Sequence, residues 1–393
     1  MKGYDKHSIT PIGITNYRNT SVPFGITDTD RLAHIFCIGK TGVGKSTLLT
    51  NMAISDIQKG KGLCVIDPHG DVAENLLSHV PEHRKKDLIY LNPADPANGI
   101  AFNPLHSVHP NYHYLVASGL VSVFKKIYAD SWGPRMEHIM RFVFLTLLEY
   151  PDATLLDIQP LLTDTLHRDK ILGYVKNEHT IAFWQKEFLK YAPTLRAEAI
   201  APILNKTSLF LTNTALRKIV GQKTNSFRMQ QVLDGGKILI CNLSKGQIGE
   251  DACLLLGSML VTFIQLAALY RAKQPEHQRR PFFLYIDECQ SFITLSFTDM
   301  LAEARKYGLG VFMANQFLDQ LHDKIRAAIF GNCGSVISFR VGANDSELLA
   351  KEFFPVFDAT DLVHLPRYGM YLKLMIDGAT SQPFSAGAFF KKA

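Results

Sequence analysis

Paired cysteines are the first thing missing from this sequence. Its six thiols, Cys37, Cys64, Cys241, Cys253, Cys289 and Cys333, stand singly, so the close spacings of zinc ribbons and redox motifs are absent. Most fall in strand-like apolar runs and read as reduced, buried thiols of a cytosolic protein. The opening MKGYDKHSITPIGITNYRN has no basic start leading into an apolar run and a small-residue cleavage site, which argues against a secretory leader. Long hydrophobic runs are nearly absent too. Only ACLLLGSMLVTFIQLAALY (252–270) could span a bilayer by length. It carries Ser258, Thr262 and Gln265 and lies between two strand-like runs of one sheet, so a buried helix covering that sheet is expected, with no intrinsic membrane span. A guanine reader is missing as well: the nearest approach to N-K-x-D is NKTS (205–208), which lacks the acid.

With 393 residues, 47% of them hydrophobic, the chain can bury a full core and exceeds one minimal domain. Its net charge of +6 suits a polyanionic partner without requiring one. Short apolar runs alternate with helical patterns at both ends: HIFCIG (34–39), GLCVID (62–67) and DLIYLN (87–92), then KILICNL (237–243), FFLYID (282–287), GVFMAN (310–315) and SVISFRV (335–341). That alternation is the signature of a parallel sheet flanked by helices. Between about 106 and 225 strand patterns thin out, and MEHIMRFVFLTLLEY (136–150) and TIAFWQKEFLKYA (180–192) show helical apolar spacing. The reading is one α/β nucleotide-binding domain, 1–105 and 226–393, interrupted by an all-α insertion, 106–225.

Three motifs carry the chemistry. Gly39, Gly44, Lys45 and Ser46 satisfy G-x-x-x-x-G-K-[ST] between a strand and a helix, the context that motif needs. Glycines let backbone N–H groups wrap phosphates, Lys45 neutralises β/γ charge, and the Ser46 hydroxyl is offered to Mg²⁺. Nucleotide contacts are therefore expected along Gly39, Thr41, Gly42, Val43, Gly44, Lys45, Ser46 and Thr47. FFLYIDECQ (282–290) ends an apolar strand in adjacent acids. Asp287 is expected to hold Mg²⁺ through water and Glu288 to polarise the attacking water. In VFMANQF (311–317), Gln316 ends the next strand where an amide can sense the γ-phosphate.

The order GKTGVGKST, helical insertion, FLYIDE, EARKYGLGVFMANQ and NCGSVISFRVG resembles the FtsK–HerA superfamily of ring ATPases. Within it the chain is most similar to the TraG/TraD-like coupling proteins of type IV secretion, whose RecA-like motor domain is interrupted by an all-α domain. The resemblance implies ATP and Mg²⁺ as cofactors, DNA as cargo and a homo-hexameric ring. It departs from coupling proteins in lacking transmembrane helices, so anchoring to a membrane would come from a partner, such as a secretion partner or relaxase, or be absent. It departs from HerA-type motors in having about 30 residues before the first expected strand, too few for a small barrel. A cytosolic ATPase acting on protein partners, on assembly of a secretion machine, or in DNA processing or defence stays open, as does a module using ATP as a switch.

Ring ATPases of this type complete each site with a neighbour's cation, which stabilises charge developing on the γ-phosphoryl oxygens. By resemblance Arg305, in LAEARKYGLGV, stands where coupling proteins place that finger, and Arg340, ending SVISFRV, is the alternative. Arg135, in SWGPRMEHIMR, has no assigned role. In IDPHGD (66–71), a helix cap by Asp71 outweighs a metal cluster of Asp67, His69 and Asp71. His106, His109 and His113 lack Cys or acid partners. The basic clusters HRKK (83–86) and RAKQPEHQRR (271–280) read as solvated loops before they read as a DNA path.

Overall fold

The computed structural model describes residues 8–16, 21–97 and 99–389, leaving part of the opening segment used in the leader reading outside the described residues. Two compact units emerge, one of 1–91, 229–242 and 267–393, the other of 92–228 and 243–266.

The first unit is built on a mixed sheet. In chain order its strands are β1 (Ile9–Thr15), β2 (Pro23–Thr27), β3 (Ile35–Ile38), β4 (Gly62–Asp67), β5 (Leu88–Leu91), β6 (Ile238–Asn242), β7 (Phe282–Ile286), β8 (Leu309–Asn315), β9 (Ser335–Ser338), β10 (Gly369–Lys373) and β13 (Phe384–Ala388), with β11 (Met375–Ile376) and β12 (Ala379–Thr380) forming a separate hairpin. The order across the sheet is β2-β1-β13-β10-β9-β3-β8-β7-β4-β6-β5. From β9 to β5 every neighbouring pair is parallel. These are the seven apolar runs read from the sequence, and β3, β4, β6, β7, β8 and β9 are buried at every position. Burial on both faces is why they read as continuous apolar runs without alternation.

β1 and β2, where no strand was expected, extend the sheet on its antiparallel side with β10 and β13. A register shift between Pro11 and Gly13 interrupts β1. Pro and Gly inside a short, partly exposed strand dilute its pattern.

The carboxyl ends of the parallel strands are level. Ile38 pairs with Asn315 and with Ser338, while Ile286 pairs with Met313 and Ile66. Gly39, Asp67, Asp287, Gln316 and Arg340 therefore leave the sheet along one edge, as the chemistry of open α/β sheets requires.

At the amino edge, several cations are held inside the fold by carboxylates and carbonyls. Arg31 is fully buried over the Phe283 ring, 3.7 Å from its centroid. Its guanidinium grips Asp56 through two 2.8 Å bonds and reaches Thr10 at 2.7 Å and the Tyr285 hydroxyl at 2.6 Å. Lys61 pairs with Asp28 and, at 3.4 Å, Asp56. In the two basic clusters the arginines turn inward, contrary to the solvated reading, while His83, Lys85, Lys86, Lys273 and His277 are exposed as that reading has them. Arg84 donates to the carbonyls of Ile57, Lys61 and Gly236. Arg271 binds Asp234 at 2.8 Å and the carbonyls of Arg280 and Tyr307. Arg279 and Arg280 donate to the carbonyls of Gln274, Lys306, Gly235 and Gly60. Loops entering strands present unpaired carbonyls, and a guanidinium with five donors satisfies several at once.

The described residues of the second unit contain helices and no strand. Its boundaries are wider than the expected 106–225. The helices His113–Ile127 and Pro134–Glu149 enclose an aromatic core in which Phe124 meets Phe144 and Phe210 at 5.8 and 5.9 Å. Trp184 donates to Thr146 at 2.7 Å. The apolar helix Glu250–Tyr270, expected to cover the sheet, belongs to this unit through Leu266: Phe263 meets Phe102 edge-on at 5.4 Å, and Gly119 packs on Thr262. Among the described helices it alone is long and apolar enough to cross a membrane, and 83% of that stretch is buried.

Candidate nucleotide site

The glycine-rich loop leaves β3 and opens the helix Lys45–Gln58. Its base is clamped by neighbouring strands: Gly39 N–H donates to the Asn315 carbonyl at 3.2 Å and Lys40 N–H to the Arg340 carbonyl at 2.9 Å. Gly42 and Gly44 hold φ of +75° and +129°, which side-chain-bearing residues rarely adopt. At Gly44 a Cβ would also meet the Phe339 ring at 2.9 Å. Lys45 is buried and its Nζ donates to the carbonyls of Gly39 and Lys40 at 2.6 and 3.0 Å, so its charge sits inside the loop. Val43 is buried, while Thr41 and Ser46 are exposed and Thr47 half-buried.

The acids of the β7 end come to this loop across β8. Ser46 Oγ donates to Asp287 Oδ2 at 3.0 Å. Burial, reinforced by the charges of Glu288 and Asp67, raises Asp287 to about 6 against the opposing pull of the Ser46 hydroxyl and the Lys45 ammonium. Glu288 occupies a left-handed conformation, φ 50° and ψ 54°, uncommon for such a residue and a mark of functional sites. Gln316 links the parts: Thr41 Oγ1 donates to its Oε1 at 2.9 Å, and its Nε2 donates to Glu288 Oε1 at 2.5 Å. Gln290 Nε2 holds the other Glu288 oxygen at 2.7 Å. Loop tip, amide and carboxylate thus form one chain.

The donor set suits a phosphate-bearing ligand and a hard cation. Ser46 and Asp287 offer oxygen ligands of the kind Mg²⁺ takes. Asn315, fully buried beside the loop, uses its Oδ1 for the Phe317 N–H, and its Nδ2 has no partner, a buried donor awaiting an acceptor.

Sequence reasoning missed or misplaced several residues. Asp67, and not Asp71, caps the helix Asp71–Ser78: its oxygens accept from His69 N–H and Ala73 N–H, each at 2.9 Å. A capping side chain has to come from ahead of the first turn, where Asp71 already lies. Among the described residues no three His, Cys, Asp or Glu side chains gather as a metal cluster. Gln290, Arg367 and Tyr368 at or beside the site carried no sequence signal, although Gln290 stands only two residues beyond Glu288.

The arginines fall at different places. Arg340 borders its own loop through its carbonyl, with its side chain exposed. Arg305 lies in the turn Ala304–Tyr307, ahead of β8 and so at the amino edge, away from the loop of the same chain. It is exposed, and its guanidinium makes no hydrogen bond to the described residues. Next to it His34 is buried, its Nδ1 accepting from Val311 N–H at 3.2 Å and its Nε2 bonding the Leu301 carbonyl at 2.9 Å. Burial first, and the Arg305 charge in addition, lower His34 to about 4. Arg135 is an exposed residue of the helical unit.

A family model described as the type IV secretion-system coupling protein DNA-binding domain matches residues 17–354. No curated protein matches the sequence. Among solved structures, the bacterial conjugative coupling protein TrwBdeltaN70 in its unbound form is similar with a TM-score of 0.69 at 18% identity, over 98% of this chain and 89% of that one. TrwB in complex with ADP and Mg²⁺ gives 0.67 at 19%, over 94% and 88%. VirB4 of Thermoanaerobacter pseudethanolicus gives 0.64 at 13%, over 100% and 99%. At these identities the structural likeness establishes the fold, a RecA-like P-loop NTPase. The family match spans most of the chain, and with it the identity is set: this protein belongs to the type IV secretion coupling proteins of the FtsK–HerA superfamily, a family of P-loop ATPases.

Proposed function

We propose that the chain hydrolyses ATP as one subunit of a hexameric ring that moves DNA through its centre, docked at the inner face of the cell membrane through a secretion partner or relaxase. The observation that carries the hydrolytic reading is the continuous chain Thr41–Gln316–Glu288 lying beside Ser46 and Asp287. In this reading Gly39, Thr41, Gly42, Val43, Gly44 and Thr47 present the loop backbone to the phosphates. Lys45 exchanges its two carbonyl partners for β/γ oxygens. Ser46 and Asp287 hold Mg²⁺, which when bound neutralises charge on the phosphate oxygens. Glu288, aimed by two amides, accepts the proton of the attacking water. Gln316 registers whether the γ-phosphate is present and passes that state to the loop tip.

Arg305 supports a ring. An arginine that lies at the opposite edge from its own loop and makes no bond there serves best in the site of a neighbour, and a head-to-tail contact of that kind closes into a ring. Arg340, beside its own loop, is the alternative finger.

Hydrolysis per subunit should rise steeply with protein concentration and rise again with DNA, the DNA effect weakening with salt. Mixing decides the finger. Arg305→Ala keeps its own loop and Glu288, and Glu288→Gln keeps its own finger, so a mixed ring rebuilds some complete sites. Recovered hydrolysis supports Arg305 in trans; none, in rings shown to have exchanged subunits, moves the assignment to Arg340. Hydrolysis indifferent to DNA would favour action on protein partners.

A further inference from the structure

The turn that leads into β10 is fastened to the outside of the glycine-rich loop at three points. Arg367 Nε donates to the Gly42 carbonyl at 3.1 Å. Tyr368 N–H donates to the Val43 carbonyl at 2.9 Å. The Tyr368 ring packs on Gly44, where a Cβ would lie 3.0 Å from its Cδ1. Above this contact the Arg367 guanidinium lies 4.7 Å from the centre of the Tyr368 ring. Tyr368 holds a left-handed backbone, φ 69°, which an aromatic residue adopts only where its surroundings enforce it. Those surroundings are the Gly369 N–H to Pro366 carbonyl bond and the Ala388 N–H to Tyr368 carbonyl bond, each 3.0 Å.

Peptide geometry gives these contacts a purpose. In a trans peptide the C=O of one residue and the N–H of the next point in opposite directions. Holding the Gly42 carbonyl outward turns the Val43 N–H to the other side, and holding the Val43 carbonyl outward does the same for the Gly44 N–H. Inward N–H groups are what a phosphate needs. Glycines at 42 and 44 make the loop able to adopt this shape, and equally able to leave it. We propose that Arg367 and Tyr368 are positioning residues that brace the loop from outside in its phosphate-binding conformation, Arg367 adding a cation to the same edge of the site. This rests on the nucleotide reading above.

The test uses the full chain, with a fluorescent ATP analogue and Mg²⁺ for equilibrium binding, steady-state hydrolysis for kcat and KM, and thermal unfolding. A lost charge-assisted bond predicts that Arg367→Ala weakens nucleotide binding about tenfold, with the loss falling on KM more than on kcat and Tm unmoved. Arg367→Lys, which can still donate to the Gly42 carbonyl, should recover part of it. Tyr368→Phe keeps the ring and the N–H and should bind as the parent does, whereas Tyr368→Gly should weaken binding. Unchanged affinity in Arg367→Ala, or a loss matched by a fallen Tm with no recovery by Lys, overturns the brace. Lys45→Ala separates the two readings. Normal binding by that variant removes the nucleotide site and the brace with it. Lost binding by that variant beside normal binding by Arg367→Ala removes the brace alone.

Discussion

The two edges of one sheet use the same residue types to opposite ends. At the amino edge Arg31, Lys61, Arg84, Arg271, Arg279 and Arg280 face carboxylates and carbonyls inside the fold. At the carboxyl edge Lys45 has only two carbonyls of its own loop, Asp287 is pushed up to about 6, and Asn315 Nδ2 has no partner. Asp287 stands two residues beyond Tyr285, which belongs to the Arg31 cluster, so the contrast is set within a single strand end. Pairing within the fold serves stability, even though one buried nitrogen of Arg271 keeps no partner; the unpaired groups beside the glycine-rich loop are the ones a ligand can use. Arg305, exposed and without a hydrogen bond to the described residues, departs from that inward pattern.

The sharpest way to separate the edges is Glu288→Gln. It should bind nucleotide as the parent does while hydrolysis falls roughly 10²–10⁴-fold, the range for loss of a general base, and unfolding should be unaffected. Arg31→Ala should do the reverse. Removing one partner from a buried ion-pair cluster costs about 3–5 kcal/mol, seen as a lower denaturant midpoint, with nucleotide affinity of the folded protein retained.

His34 extends the contrast to pH. Its folded value of about 4 lies below the ordinary 6.5, so the folded state binds fewer protons than the unfolded chain between these values. The stability that comes from keeping it neutral is complete above pH 6.5 and is lost as pH falls through 4, to a total of about 3 kcal/mol. His34→Gln should flatten that dependence in unfolding measured from pH 4 to 7. The smallest effect is expected of Gln316→Ala. Glu288 keeps one amide partner in Gln290, so kcat should fall about tenfold with affinity within twofold; parent-like kcat would remove Gln316 from the catalytic chain.

Legibility in the sequence followed burial and locality. Six of the seven parallel strands were readable because both faces of each are covered, which leaves unbroken apolar runs; β5, only partly buried, kept its run as well. The loop and the acidic pair were readable because their chemistry is packed into a few consecutive residues. Arg367 was not, because it reaches Gly42 from the far end of the chain and nothing in PRYGM announces that contact. The Arg31 cluster joins positions 10, 28, 31, 56, 61 and 285, each an ordinary polar residue in its own neighbourhood. Charge alone could not show that the arginines of HRKK and RAKQPEHQRR turn inward while their lysines stay exposed, since a guanidinium on a carbonyl and one in water look the same in a sequence. β1 and β2 escaped because Pro11, Gly13 and partial exposure broke their alternation.

The strand order also sets a timetable for synthesis. β3 has neighbours β8 and β9, β4 has β6 and β7, and β5 has β6, so no parallel strand made before the helical segment can pair with another made before it. Every parallel partner lies beyond Ile238. Emerging at about 5–20 residues per second, the chain needs on the order of ten seconds to pass from β5 to β6. Throughout that interval three apolar strands wait unpaired at the ribosome while the helices between them, rich in local contacts, are free to form first. The same strand order that gathers the site at one edge makes the nascent chain a client for whatever shields exposed β-strands in the cell.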